Sequence, residues 1–240
     1  MRSIFLLAAS SLLLFSSCRE IFAKRIRGNG NVTTQNRSAG NFNSIDVSGS
    51  INVYVKQDPT PSIKVETDDN LQQYIETINE GDVLRIRTRE GFNVWSSGKV
   101  KVYVSSPTFK RFEASGACDI FSDGQISNDS QIQIDLSGSC NTTLDLNTPK
   151  ISSEGSGATT LSLKGQTKDL SVQGSGSTNI KCLDLSSQNV ELDLSGAGDA
   201  ELNASTKISG TISGSADVRY KGSAQTDIHT SGASSVKKID

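Results

Sequence analysis

The sequence predicts an all-β fold, a right-handed parallel β-helix with coils of about 19 residues that is wider and less regular at its N-terminal end. Three observations carry that expectation. A short unit beginning Ser-Gly recurs at near-constant spacing, the stretches between its copies alternate apolar and polar residues, and after Phe121 the single aromatic is Tyr220. A core without bulky rings must be narrow and built from small and aliphatic side chains.

The first residues stand apart from the fold. Met1, Arg2 and Ser3 precede an apolar stretch from Ile4 to Phe15, then Ser16-Ser17-Cys18. The stretch is shorter than the ~20 residues of a transmembrane helix. Leu14-Phe15-Ser16-Ser17-Cys18 resembles a bacterial lipobox, with Phe15 where leucine is usual. Residues 1–17 are therefore expected to be a lipoprotein signal peptide, and Cys18 to carry the acyl chains that anchor the protein to a membrane. A plain secretory signal with a coincidental cysteine is the alternative. Residues 18–40 are expected to form a lipidated N-terminus and tether, and 41–240 a single domain with irregular coils over 41–114 and regular ones over 115–240.

The repeat begins at Ser48, Ser115, Ser137, Ser156, Ser175, Ser195, Ser213 and Ser231, and from Ser115 onward its step is nearly constant. Strands read from period-two alternation at Leu161–Leu163, Leu170–Val172, Val190–Leu194 and Ile208–Ile212. Two short strands and two turns suit one coil, with the recurring glycine at a corner that needs positive φ or close backbone approach. The interval from Ser48 to Ser115 is too long for one coil. Strands are expected there at Ile51–Val55, Ile63–Glu66, Val83–Thr88, Val100–Val104 and Phe109–Ala114, interrupted by a short helical turn with Asp69 as N-cap and Leu71, Tyr74 and Ile75 within it.

Alignment of the coils stacks Asp119, Asn141, Thr160, Asn179, Asp199, Asp217 and Ser235, a ladder that can hydrogen-bond along its length but carries too few carboxylates for calcium. One position earlier stand Cys118 and Cys140, then Thr159, Thr178, Gly198, Ala216 and Ser234, so small inward residues are the rule. Cys118 and Cys140 are either two buried thiols or a disulfide between neighbouring coils.

A net charge of -2 gives no electrostatic reason to expect nucleic acid. His229 is the only histidine, and the acids look scattered, so neither a catalytic constellation nor a metal or cofactor site is expected. The Gly91–Gly98 loop differs. It holds the only tryptophan, Trp95, near Phe92, with Arg89 and Lys99 beside it, and reads either as a ligand-binding site for an envelope glycan or protein partner or as a plug over the wide coils.

Taken together, GNGNVTTQNRSAGNFNSIDVSGSINVYVKQ at 28–57, DNLQQYIETINEGDVLRIRT at 69–88 and the Ser-Gly repeats resemble the bacterial family called putative auto-transporter adhesin, head GIN domain. Gly49, Ile51 and Asn52 match the letters of that name. The resemblance spans the mature chain and implies β-helical envelope proteins of Bacteroidota, many with lipoprotein signals, and no catalytic residues. The expected function is that of an outer-membrane or surface scaffold or adhesin-like binding module, not an enzyme. Two alternatives stand beside it. One is a polysaccharide-active β-helix enzyme, which fold alone does not license. The other is a structural protein that oligomerises through uncapped coil ends, against which Lys237 and Lys238 would act.

Overall fold

Alternation of period two sends successive side chains to opposite faces of a strand, and along this chain it continues almost without a break. The structure, a computed structural model that describes residues 23–239, is accordingly all-β. The expected signal peptide and Cys18 lie outside the described residues.

The strands are β1 (Lys24–Arg27), β2 (Val32–Arg37), β3 (Ser44–Gly49), β4 (Ile51–Gln57), β5 (Ser62–Asp68), β6 (Ile75–Glu80), β7 (Val83–Thr88), β8 (Phe92–Trp95), β9 (Val100–Ser106), β10 (Arg111–Gly116), β11 (Asp119–Ser127) and β12 (Gln131–Gly138). They continue as β13 (Asn141–Ala197), a run of extended backbone through three copies of the repeat, then β14 (Ala200–Ser215), β15 (Asp217–Lys221), β16 (Gln225–Gly232) and β17 (Ser235–Lys238). All but β1 and β8 join one mixed sheet. Because β13 pairs with β11 through one stretch and with β12 through the next, the sheet doubles back and wraps nearly closed around the core.

From β10 onward every pairing within the regular coils is parallel and joins residues one repeat apart: Ser115 with Ser137, Ser137 with Ser156, Ser195 with Ser213, Ser213 with Ser231. The repeat glycines explain the spacing. Gly49, Gly116, Gly138, Gly157, Gly176, Gly196, Gly214 and Gly232 all have φ between 90° and 121°. They also stack, so that a Cβ on Gly138 or Gly157 would lie 2.5 Å from the carbonyl oxygen of the glycine one coil earlier. Only glycine fits, on both conformational and steric grounds.

The interior is narrow where the sequence predicts it. Ile132, Ile134, Leu136, Leu161, Leu163, Val172, Leu192 and Ile208 are buried, each contributing about 1.5–3 kcal/mol relative to exposure. Cys118, Cys140, Thr159, Thr178 and Ala216 occupy the small inward column.

The N-terminal part departs from the expectation of parallel coils. β5 pairs antiparallel with both β2 and β9, and β6 antiparallel with β7, so the stack ends in an antiparallel cap. The expected helical turn is a 3-10 helix, Asp69–Tyr74, with buried Leu71; its N-cap is Asp68, not Asp69, and no side chain caps it. Residues 24–37, expected as tether, contain strands: β2 completes the cap, and β1 pairs in parallel with β8. At the other end some core columns turn polar, while Ile228 and Val236 stay packed on the core, partly buried. Thr226 and Thr230 follow Ile208 and Ile212 one coil on, and Ser234 follows Ala216, its hydroxyl accepting from the Ala216 N–H at 3.4 Å.

Candidate functional site

β8 is where the sequence places a ligand. Phe92 and Trp95 are separated by an odd number of positions, so a strand points them to opposite faces. Phe92 is half-buried against Tyr74, ring centroids 4.6 Å apart, whereas Trp95 is 59% exposed. They form no common platform. Arg89 is engaged by Glu76 at 3.1 Å, while Lys99 is exposed and free of ion pairs among the described residues. Trp95 instead meets a residue that the sequence assigns to the tether: the Arg25 guanidinium lies 5.5 Å from its ring centroid.

This edge is held by a buried carboxylate. Asp68, with no exposed surface, accepts from the Gly30 N–H at 2.7 Å, the Ser96 hydroxyl at 2.7 Å, and the Ser97 N–H and hydroxyl at 2.9 and 2.7 Å. Burial alone would raise its pKa; the four donors, led by the Ser96 and Ser97 hydroxyls, outweigh that and hold the carboxyl well below its usual range. Next to it, hydrogen bonds from Asn31 and Asn29 lower the pKa of Asp69. A Cβ on Gly28 would collide with the Asp68 carboxyl. The GNGN segment is thus clamped to the end of β5, and β1 with it to β8.

The regular coils present a different surface. A groove of about 580 Å³ crosses six of them, lined coil by coil by Glu113, Asp135, Glu154, Gln173, Asp193 and Thr211 on one wall and by the repeat serines on the other. Its floor includes Leu136 and Leu194, and Gly155 and Gly174 widen it. Asp46, Glu113, Asp135 and Glu154 stand opposite one another in successive strands, so acids that look scattered along the chain form a column. The signal for it is an acid two residues before the Ser-Gly pair, in the half of the repeat that alignment on Ser-Gly leaves unweighed. Stacked like charges repel. Arg85 offsets Asp46 at 3.0 Å, and Arg111 bridges Glu113 at 3.3 Å and Asp135 at 2.7 Å. The Glu154 carboxylate has no partner among the described residues and is exposed in the middle of the groove.

A row of rings, Tyr103–Tyr54–Phe121, crosses the outer face of β9, β4 and β11 beside a depression of about 500 Å³. Centroids 5.1 and 5.2 Å apart and planes within 23° mean that the rings cover each other's faces, leaving edges for solvent and little platform for a sugar.

The Asn/Asp ladder is a hydrogen-bonded array: Asn141 donates to Asp119 at 2.8 Å, Ser235 to Asp217 at 2.6 Å, and the Asp199 N–H to Asn179 at 3.4 Å. Cys118 and Cys140 are free thiols in place of the possible disulfide, each donating to a carbonyl of its own corner, Ser115 and Ser137. Burial pushes the Cys118 thiol up to about 11 and Cys182 up to about 12, which disfavours the thiolate at both. His229 lies on β16, opposite Thr211 in the coil before. Among the described residues there is no cluster suited to a metal ion, and no helix long and apolar enough to cross a membrane.

The family model described as "Putative auto-transporter adhesin, head GIN domain" matches residues 41–224. Among solved structures, a putative adhesin from Bacteroides fragilis superposes with a TM-score of 0.84 at 23% identity, covering 89% of this chain and 100% of that one. A putative lipid binding protein from Parabacteroides distasonis gives 0.68 at 20%, covering 90% of this chain and 100% of its own. A putative adhesin from Parabacteroides merdae gives 0.67 at 23%, with 91% and 100% covered. At these identities the likeness is one of fold. No curated protein matches the sequence.

Proposed function

This chain belongs to the putative auto-transporter adhesin, head GIN domain family, and on that premise we propose that it is a non-catalytic envelope lipoprotein, anchored through Cys18, whose right-handed β-solenoid holds an extended polymer along its axis. The observation that carries this reading is the groove across six coils. Five of the six coils repeat the same wall of acid or amide facing serine, and the sixth puts Thr211 in that place, so a ligand with repeating units meets similar hydrogen-bonding groups at every level, one coil rise of ~4.8 Å apart.

The chemistry of the lining selects the polymer. Carboxylates accept hydrogen bonds from sugar hydroxyls and ammonium groups and repel other anions. A neutral or amino-sugar polysaccharide fits, and an acidic one does not. No aromatic lines the groove, so each unit contributes little and affinity accumulates with the number of coils engaged. The acids serve as acceptors in this reading: Glu113 and Asp135 are engaged by arginine, and no histidine or metal cluster accompanies them among the described residues.

Ser156 and Ser175 are exposed groove residues outside the core cluster, so Ser156→Trp and Ser175→Trp would fill the groove without disturbing the fold. On arrays of neutral, amino-sugar and acidic glycans, the native chain should bind the first two classes. The filled variants should bind at least tenfold more weakly with an unchanged circular dichroism spectrum. Equal binding by the filled variants, or preference for acidic glycans, would overturn the assignment.

A further inference from the structure

The β1–β8 edge is outside the groove and unexplained by it. Arg25 pairs in register with Asn93 and Arg27 with Trp95, so these four share one face, and all four are exposed. No ion pair holds Arg25, Arg27 or Lys99 among the described residues, and neither β1 nor β8 contains an acid; the nearby carboxylates of the clamp, Asp68 and Asp69, are each engaged by hydrogen-bond donors. Glu90, the nearest acid in sequence before β8, is paired with Arg87 at 3.5 Å. Trp95 and Val32 are the exposed large hydrophobics of the described chain, and Val32 begins β2 just after the clamped GNGN segment that follows β1.

We propose that this edge lies flat against the anionic phospholipid headgroups of the membrane that holds the protein. Two arguments identify the occupant. The first is length: Lys24 follows Cys18 so closely that the intervening chain spans at most about 20 Å even when extended, and an acylated Cys18 therefore keeps β1 beside the bilayer. This argument rests on the Cys18 anchor. The second is chemistry and rests on the described residues alone. An indole with one apolar ring face and one N–H suits the bilayer–water boundary, and unpaired Lys and Arg beside it are drawn to a negative surface. Because the Asp68 clamp fixes β1 on β8, the basic residues and the indole are presented together without an ordering cost.

Trp95 is the only tryptophan, so its fluorescence reports on this edge and nothing else. The chain without residues 1–17 and with Cys18→Ser, which no acyl chain can anchor, is mixed with phosphatidylcholine vesicles or with mixed phosphatidylcholine–phosphatidylglycerol vesicles, and Trp95 emission and acrylamide quenching are followed. The expected result is a blue shift and loss of quenching with the phosphatidylglycerol vesicles, reversed by high salt. Arg25→Ala should weaken partition about fivefold and Arg25→Ala/Arg27→Ala by the square of that, the effect of basic residues near an anionic surface. Unchanged emission with anionic vesicles, or the same change with pure phosphatidylcholine, would overturn the proposal. Neither outcome bears on glycan binding in the groove, which the array measures separately.

Discussion

Between Phe42 and Phe112 the interior holds three phenylalanines, Phe42, Phe109 and Phe112, and the surface carries stacked rings and arginine–carboxylate pairs around Asp46, Glu76 and Glu113. From Ile126 to Val218 the buried hydrophobics are aliphatic, alanine or cysteine, with no aromatic among them. The first region is held by individual interactions, each different from the next. The second is held by one set of contacts repeated, in which every coil sees the coil before it through the same column of glycines, small inward residues and Asn/Asp rungs. A defect should therefore behave differently in the two. In the repeated region it falls on a contact that neighbouring coils share; in the first region its cost is that of the particular bond removed.

The glycines give the strongest way to break that contrast. Gly157, in the column, and Gly91, in the turn before β8, both have positive φ, 94° and 83°. A Cβ on Gly157 lies 2.5 Å from the Gly138 carbonyl oxygen, whereas nothing lies within 4 Å of one on Gly91. Gly91→Ala should cost about 1 kcal/mol, the strain of the left-handed conformation alone. Gly157→Ala adds a backbone collision that cannot relax without moving the adjacent coil, and should cost about 4 kcal/mol or more. Denaturant titration of both variants decides the matter. Equal losses would mean that the column is a conformational requirement and not a packing one.

Asp68 offers the next largest effect, on the side of individual interactions. Asp68→Ala leaves several buried donors without an acceptor and should cost about 3 kcal/mol. The pH dependence has a definite sign. With its folded pKa held below the ordinary 3.8, Asp68 contributes stability that is fully present above that value and is lost as pH falls toward the folded pKa. Thermal melts between neutral pH and pH 3 should thus show the native chain losing more stability below about pH 4 than Asp68→Asn, which has no carboxylate to protonate. An Asp68→Asn profile parallel to that of the native chain would place the acid sensitivity elsewhere.

How much is legible in the sequence follows the same division. The corner glycines, the small inward column and the hydrogen-bonded ladder are read directly from the repeat, because stacking makes each coil's environment a copy of the last and so writes the tertiary contacts into sequence spacing. The acid column obeys the same rule and escapes notice only because it lies on the other side of Ser-Gly from the residues that the alignment weighs. The antiparallel cap is another matter. Nothing in Ser62–Asp68 itself distinguishes an antiparallel partner from a parallel one, since the choice is made by contacts with Val32–Arg37 and Val100–Ser106, both remote from it along the chain. Likewise Lys24–Arg27 reads as a basic tether until β8 supplies its hydrogen bonds.

The smallest effect concerns β8, where pairing Phe92 with Trp95 as one binding platform conflicts with strand geometry. An odd separation already implies opposite faces, and the structure puts one ring against Tyr74 and the other in solvent. The two single substitutions should therefore part company. Phe92→Ala removes an aromatic contact from beside the 3-10 helix and should cost about 1–2 kcal/mol, less than a fully buried phenylalanine because Phe92 is only half-buried. For a chain of this size that lowers the melting temperature by several degrees. Trp95→Ala, on the outer face, should change stability by no more than about 0.5 kcal/mol, while abolishing the fluorescence that reports vesicle contact. If Trp95→Ala proved as destabilising as Phe92→Ala, the indole would belong to the packing of the β1–β8 edge, and its exposure would carry no message about a partner. If it proved neutral, the exposed ring would be kept for something other than the fold, and the edge of this region would contrast with the coils in purpose as well as in construction.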